Sequence, residues 1–349
     1  MAPRCVGLIV RQPGEAQFRV GQRGDVTQPP YPNDGVRRVR DVHDVNLRGI
    51  KSHRDGRLNN DRSGYWKEPM SYRSLLVFLD QDPLCAPRTQ VAIRLARDHD
   101  CHLVGVAPTG LVDVLATPDA AVTLVEFAER ARSALREEAE DAIRRFSEAC
   151  RAAGLESVEA IVDEADKARS LVHHAHCSDL TLLNQADPTA SSHRRAQDLV
   201  EQVVLNSARP TLIIPYAGRF ETLGSNVMVA WDESREVVRA LSDALPLLRR
   251  AKRVQVVSWN EKGVRDDRAL RARLDALHQW LMWQGVSAEV RVETTEVDIS
   301  NAMLSHAADL NADLIVMGAY GHTRWVERIL GGATRGLLAS MTIPVLMAH

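Results

Sequence analysis

From residue 72 onwards, short apolar runs alternate with longer stretches that have helical spacing. Residues 74–80 (SLLVFLD) are apolar until the final aspartate, which is typical of a strand buried on both faces of a parallel sheet. Residues 86–98 follow, with apolar side chains at helical intervals. The alternation of strands and helices predicts right-handed crossovers and a parallel α/β sheet.

The pattern predicts two successive units with the same plan. The predicted strands of the first half are residues 74–80, 103–107, 158–162, 180–183 and 211–215. Its predicted helices are residues 86–98, 120–153, 165–175 and 196–207. The predicted strands of the second half are residues 227–232, 254–259, 288–293, 314–317 and 343–347. Its predicted helices are residues 236–245, 267–283, 299–310 and 333–341, and Pro246 should stop or kink the first of these.

The two halves align without a gap over their last third. Asp179 and Asp313 each open a predicted fourth strand, and Pro210 and Pro344 lie equally far downstream. Internal duplication is the simplest explanation. Residues 218–224 have no lasting period, and we place the joint between the halves there.

These boundaries predict two tandem doubly wound domains, 70–217 and 224–349, each with a five-stranded parallel sheet. Residues 1–69 are rich in Pro, Gly, Arg, Asp and Asn and keep no period, so we expect a disordered extension. A second hypothesis is that translation starts at Met70, because codons for Lys67 and Glu68 can form a ribosome-binding sequence. The alternative is a flexible basic tail.

The composition is that of a nearly neutral chain, with a formal net charge of -2 over 349 residues. The sequence has no basic stripe of the kind that would predict nucleic-acid binding. No apolar run approaches the roughly 20 residues that span a membrane. The five cysteines form no C-x-x-C pair, which favours a reducing compartment, so we expect a cytoplasmic protein.

The strongest candidate motif lies near the end of the chain, directly after the predicted strand 314–317. Gly318 and Gly321 are followed after nine residues by Gly331 and Gly332, with Thr334 close behind. A glycine loop lets the backbone approach a ligand, and the free amides of a helix start favour phosphate. The alternative is an ordinary tight turn between a strand and a helix.

This spacing resembles the nucleotide-binding signature of the universal stress protein family. The resemblance implies a five-stranded parallel α/β domain that binds ATP or a related adenine nucleotide between the ends of the first and fourth strands. It also implies pairing of two such domains through their last strands, 211–215 and 343–347, within the chain or in a homodimer. Gly332 departs from the pattern, because ATP-binding members usually carry Ser or Thr there.

The resemblance implies a nucleotide site, with Asp232 near the ribose or adenine and Val257 near the base. Its residues are Asp232, Val257, Met317, Gly318, Gly321, His322, Arg324, Gly331, Gly332, Ala333 and Thr334. His322 and Arg324 could close over the phosphates, or they could be ordinary exposed loop residues. Asp232 could equally be an acid at a helix start. The expected ligand is ATP or another adenine nucleotide, with Mg²⁺ as an optional companion.

The first half lacks the motif. Opposite the four glycines it carries Asn184, Asp187, Gln197 and Asp198, whose side chains fill space and whose two carboxylates repel an anion. We therefore expect no nucleotide binding by this route in the first half, which would serve as a scaffold or as a differently tuned partner.

The implied function is that of a cytoplasmic stress-response protein, regulatory or protective, with slow ATP hydrolysis at most. One alternative is a nucleotide-free interaction protein. Another is an adenylating enzyme of related fold, although no glycine-rich loop follows either first strand. His173, His174, His176 and Cys177 could hold a metal or could be ordinary surface residues.

Overall fold

The computed structural model describes residues 71–110, 122–261, 267–321 and 332–349. These residues all belong to one compact unit built on a ten-stranded sheet. Leu75 and Val77 pack in one hydrophobic cluster, whereas the intervening Leu76 and Phe78 belong to a second cluster. Since successive side chains of a strand point to opposite faces, the sheet is buried on both faces.

The ten strands are, in chain order, β1 Ser74–Phe78, β2 His102–Pro108, β3 Val158–Asp163, β4 Leu180–Asn184, β5 Thr211–Ile214, β6 Asn226–Ala230, β7 Arg253–Glu261, β8 Ala288–Thr295, β9 Leu314–Gly318 and β10 Val345–Ala348. The helices of the described residues are α1 Cys85–His99, α2 Val122–Ala152, α3 Lys167–Ala175, α4 His193–Asn206, α5 Arg235–Asp243, α6 Leu245–Leu248, α7 Asp267–Trp283, α8 Ile299–Asp309 and α9 Gly332–Ser340. The predictions for residues 1–69 lie outside the described residues.

The strand order is β3-β2-β1-β4-β5-β10-β9-β6-β7-β8. Each half is parallel throughout, and the halves are joined by antiparallel pairing of β5 with β10, where Leu212 lies opposite Leu346. The α/β fold class is confirmed, and the predicted meeting of the last strands occurs within the chain. The two predicted sheets are thus one mixed sheet.

The largest difference from a predicted boundary is three residues, and the others are two residues or fewer. Helix α4 begins at His193, three residues before the predicted start at 196. Strands β7 and β8 extend to Glu261 and Thr295, because they pair with each other beyond the point where β6 ends. Pro246 acts as expected, since α5 ends at Asp243 and the proline lies in the first turn of α6.

The duplication is visible in matched hydrogen bonds at the start of each half. In the first half the Asp179 carboxylate accepts hydrogen bonds from the amides of Arg73 and Ser74, at 2.6 and 3.0 Å. In the second half the Asp313 carboxylate accepts from the amides of Ser225 and Asn226, at 3.0 and 2.9 Å. Each aspartate therefore fixes the start of the fourth strand to the start of the first.

The halves also meet at the amino end of β1. The Tyr72 hydroxyl donates to the carbonyl oxygen of Asp243 at 3.0 Å, and its ring lies 4.9 Å from the ring of His99. Nδ1 of His99 lies 3.0 Å from the Ser71 hydroxyl. Burial and the nearby Arg250 lower the pKa of His99 from 6.5 to about 4, so the folded ring is neutral at physiological pH.

His99 should make the stability of the protein sensitive to mild acid. Between pH 4 and 6.5 the unfolded chain binds a proton at His99, whereas the folded protein does not. The stability that is present above pH 6.5 is therefore lost as the pH falls towards 4. At pH 5, His99→Gln should remove on the order of 1 kcal/mol of this loss. Urea unfolding at pH 5 and pH 7.5 measures it. The exposed His278→Gln is the control, and equal pH dependence in wild type and His99→Gln would contradict the assignment.

Candidate functional site

The predicted site lies where the strand order reverses in the second half. Strand β6 has β7 on one side and β9 on the other, so the carboxyl ends of β6 and β9 flank a crevice of the kind that binds ligands in doubly wound sheets. Ala230 pairs with both Val257 and Met317 at this edge. Val257 is fully buried and Met317 is 5% exposed, so both are floor residues beneath the crevice.

Gly318 ends β9 and is packed tightly against the first turn of α5. A Cβ atom on Gly318 would lie 2.6 Å from the backbone nitrogen of Val237 and 2.9 Å from Cβ of Glu236. Such distances are shorter than van der Waals contact, so only glycine allows this helix to approach the strand. The missing side chain at 318 therefore serves packing inside the protein.

Two main-chain amides of the loop between β9 and α9 donate hydrogen bonds within the protein. The amide of Ala319 donates to the carbonyl oxygen of Ala348 at 2.9 Å. The amide of Tyr320 donates to the hydroxyl of Thr334 at 3.3 Å. Thr334 is 4% exposed, and its buried hydroxyl holds the loop through this bond.

Tyr320 has a backbone conformation that is unusual for a residue with a side chain. Its φ is 56°, in the left-handed region, and it lies between two glycines. Burial, followed by the nearby Glu201 carboxylate, raises the pKa of its hydroxyl. The hydrogen bond from the Tyr320 amide to Thr334 and the partly buried Tyr320 ring therefore hold the loop in a defined turn.

Asp232 is exposed at the mouth of the crevice. Its Oδ1 accepts a hydrogen bond from the Ser234 amide at 2.9 Å, which shapes the turn before α5. The N-cap of α5 is Ser234, whose hydroxyl accepts from the Val237 amide at 3.2 Å. Asp232 therefore supports the helix start from outside, and one carboxylate oxygen remains for a ligand. Trp231 is partly buried and packs against the core.

Several predicted residues lie beyond what the structure describes. His322, Arg324 and Gly331 are outside the described residues, so closure over phosphates remains a prediction. Gly332 is the first residue of α9, and Ala333 follows it in the helix. Their positions agree with a helix start after the glycine loop.

The equivalent crevice of the first half is filled by an arginine. Arg88 is 2% exposed, and its Nε donates to the carbonyl oxygen of Phe78 at 2.8 Å. Its two terminal nitrogens donate to Asn184 and to Asp80, the latter at 3.1 Å. Its guanidinium thus joins the ends of β1 and β4. The expected obstacles were side chains that fill the space and carboxylates that repel an anion; the described contacts add a buried cation, which lies against Asn184.

The first half also holds the helix that follows the glycine loop. Gln185 is buried and its side-chain amide donates to the carbonyl oxygen of Leu338 in α9 at 2.8 Å. Glu201 in α4 lies 3.7 Å from Arg335 in α9. The half that lacks the glycines therefore fixes the position of α9.

The histidine cluster of the first half is engaged in ordinary contacts. Nε2 of His174 lies 3.2 Å from the Asp163 carboxylate, which also accepts from Ser170 at 2.6 Å. Within the described ranges, no group of three or more His, Cys, Asp or Glu side chains is arranged to hold a metal. The same ranges contain no helix long and apolar enough to cross a membrane.

Sequence reasoning missed two residues that define the crevices, Arg88 and Glu236. Glu236 is 2% exposed and lies against Gly318 and Gly321. Both residues look like polar positions in the first turns of helices, and an acid there is a common helix-start signal. Only the fold brings them to strands far along the chain.

Residues 225–349 match the sequence model of the Universal stress protein family. No curated protein matches the sequence. The resemblance to the universal stress protein family is thus confirmed over residues 225–349.

One solved structure extends the likeness in fold to both halves, and two others with lower scores are similar to parts of the chain. A universal stress protein from Archaeoglobus fulgidus has a TM-score of 0.59 and 17% identity, covering 79% of this chain and 97% of that one. A functionally unknown protein from Pseudomonas aeruginosa PAO1 has a TM-score of 0.48 and 16% identity, covering 79% and 92%. A universal stress protein in complex with cAMP has a TM-score of 0.27 and 15% identity, covering 42% and 98%.

Proposed function

We propose that the protein is a cytoplasmic stress-response protein that binds an adenine nucleotide, ATP or a related compound, in the crevice between β6 and β9. The observation that carries the proposal is the position of Gly318 and Gly321 at the carboxyl end of β9, where the strand order reverses. The family match over residues 225–349 supports it. Its role would be regulatory or protective.

The chemistry of the crevice fits a nucleoside better than a long phosphate chain. The crevice lies over buried apolar side chains, among them Val257 and Met317, and Asp232 offers a carboxylate oxygen for a ribose hydroxyl. The amides of Ala319 and Tyr320 are already bonded within the protein. Gly321 follows these two residues, and its missing side chain lets a ligand approach the backbone closely.

A second candidate function is that of a nucleotide-free interaction protein. The two bonded amides and the buried Glu236 beside the glycines favour it, since both reduce the attraction of the loop for phosphate. Under this proposal the domains 70–217 and 224–349 would form a scaffold only.

Nucleotide content distinguishes the two functions. Full-length protein should release an adenine compound on denaturation, as measured by mass spectrometry, and should bind adenine compounds in calorimetric titrations. Gly321→Val should reduce the bound amount by about tenfold, because a side chain there enters the space beside the loop.

Gly154→Ala is the matched control for these titrations. Gly154 has a φ of 71° and open space around its Cα, so the variant is mildly destabilised without a change at the crevice. It should keep the wild-type ligand content. Equal ligand content in wild type and Gly321→Val would refute the site, and no adenine compound in any of the proteins would favour the scaffold.

A further inference from the structure

Glu236 places a carboxylate beside the glycine loop. Its side chain runs along both glycines, because a Cβ atom on Gly318 would lie 2.9 Å from Cβ of Glu236 and one on Gly321 would lie 3.4 Å from Oε2 of Glu236. The carboxylate thus lies directly beside the loop whose backbone a ligand would approach. The nucleotide-binding function proposed above assigns no role to this residue.

The carboxylate is enclosed and carries its charge. Glu236 is 2% exposed, while its partner Arg235, whose Nε lies 2.6 Å from Oε1, has a side chain that is 73% exposed. Burial raises the pKa of Glu236, but hydrogen bonds from Arg235 and from its own backbone amide outweigh burial and hold the pKa below its ordinary value. Glu236 is therefore an anion at neutral pH, and its counter-ion lies on the solvent side.

The amino end of α5 is already occupied by this anion. Helix starts attract negative charge through their free amides and their dipole, and Glu236 is the acid in the first turn of α5. The Val237 amide donates to the Ser234 hydroxyl, so it is also used. A phosphate entering between α5 and the loop would meet a fixed negative charge in a poorly solvated place.

We propose that Glu236 is a specificity-determining residue, which selects adenine compounds by charge and favours adenosine and AMP over ATP. The proposal rests on the proposed function, since it concerns the same crevice. A compound with few phosphate charges can place its base over the carboxyl ends of β6 and β9 and its ribose near Asp232 without bringing charge to Glu236. Each added phosphate increases the repulsion.

Titration calorimetry of the full-length protein with adenosine, AMP and ATP tests the proposal. Wild type should bind ATP more weakly than adenosine. Glu236→Gln keeps the shape and removes the charge, so it should raise ATP affinity by about tenfold or more while adenosine affinity stays within about twofold. Arg235→Gln removes an exposed cation without touching the core, so it should weaken ATP binding further. Glu129→Gln, an exposed acid on α2, controls for net charge.

The outcomes separate this proposal from the proposed function. If adenine compounds bind but Glu236→Gln changes ATP and adenosine equally, or weakens ATP, the charge selection is wrong and the binding function stands. If Arg235→Gln leaves the preference between ATP and adenosine unchanged, the proposal is also contradicted. If no adenine compound binds any of the folded proteins, both fail together.

Discussion

Arg88→Met should lower the free energy of unfolding by about 3–5 kcal/mol, because it removes one partner of a buried ion pair and leaves the other behind. Arg88 is 2% exposed, and its partner Asp80 is 20% exposed. The carbonyl oxygen of Phe78 and the side-chain oxygen of Asn184 would lose their donors as well. Methionine fills much of the volume, so the expected loss is mainly electrostatic.

Urea unfolding followed by circular dichroism measures this loss. Arg144→Met is the control, since that side chain is 59% exposed in a helical pair with Asp141 and should cost less than about 1 kcal/mol. The double variant Arg88→Met/Asp80→Asn should recover part of the stability, because no carboxylate is then left unpaired. A loss below about 1 kcal/mol for Arg88→Met would show that the crevice of the first half does not depend on the guanidinium.

Gly318→Ala should also be strongly destabilising, by about 2–3 kcal/mol or more, because one methyl group must displace a helix. The new Cβ would lie 2.6 Å from the Val237 backbone nitrogen, and backbone atoms cannot move aside as a flexible side chain can. The expected result is a lower unfolding midpoint in urea whether or not a nucleotide is present.

Gly321→Ala is the natural comparison for Gly318→Ala. Its Cβ would lie 3.4 Å from side-chain atoms of Glu236 and Ser234, which is ordinary contact, so we expect a stability change below about 1 kcal/mol. The two glycines thus separate packing from the proposed ligand binding. Equal destabilisation by both substitutions would contradict the tight contact between β9 and α5.

The fold could be predicted from the sequence because its signals are local and repeated. Buried strands appeared as short apolar runs, and Pro246 marked the break between α5 and α6. Asp179 and Asp313 were recognised by equal spacing alone, and the structure adds the hydrogen bonds that give them the same role. The union of the two sheets into one was predictable only through the family resemblance.

The site was predictable only in outline. Glycine spacing located the loop at the end of β9, because glycines at fixed positions mark places where the backbone needs conformational freedom or close approach. Glu236 and Arg88 were missed, since each acts on a strand end that lies far away in the sequence. The hydrogen bond from the Ala319 amide to the carbonyl oxygen of Ala348 could not be predicted either, because it depends on how β10 pairs with β9.

The join between β5 and β10 has a consequence for how the two halves behave on dilution. Strands that belong to separate molecules part when their concentration falls, whereas strands on one chain face a constant local concentration set by the connecting segment. Their association is therefore first order and independent of protein concentration. It persists at low copy numbers at which two separate subunits would dissociate.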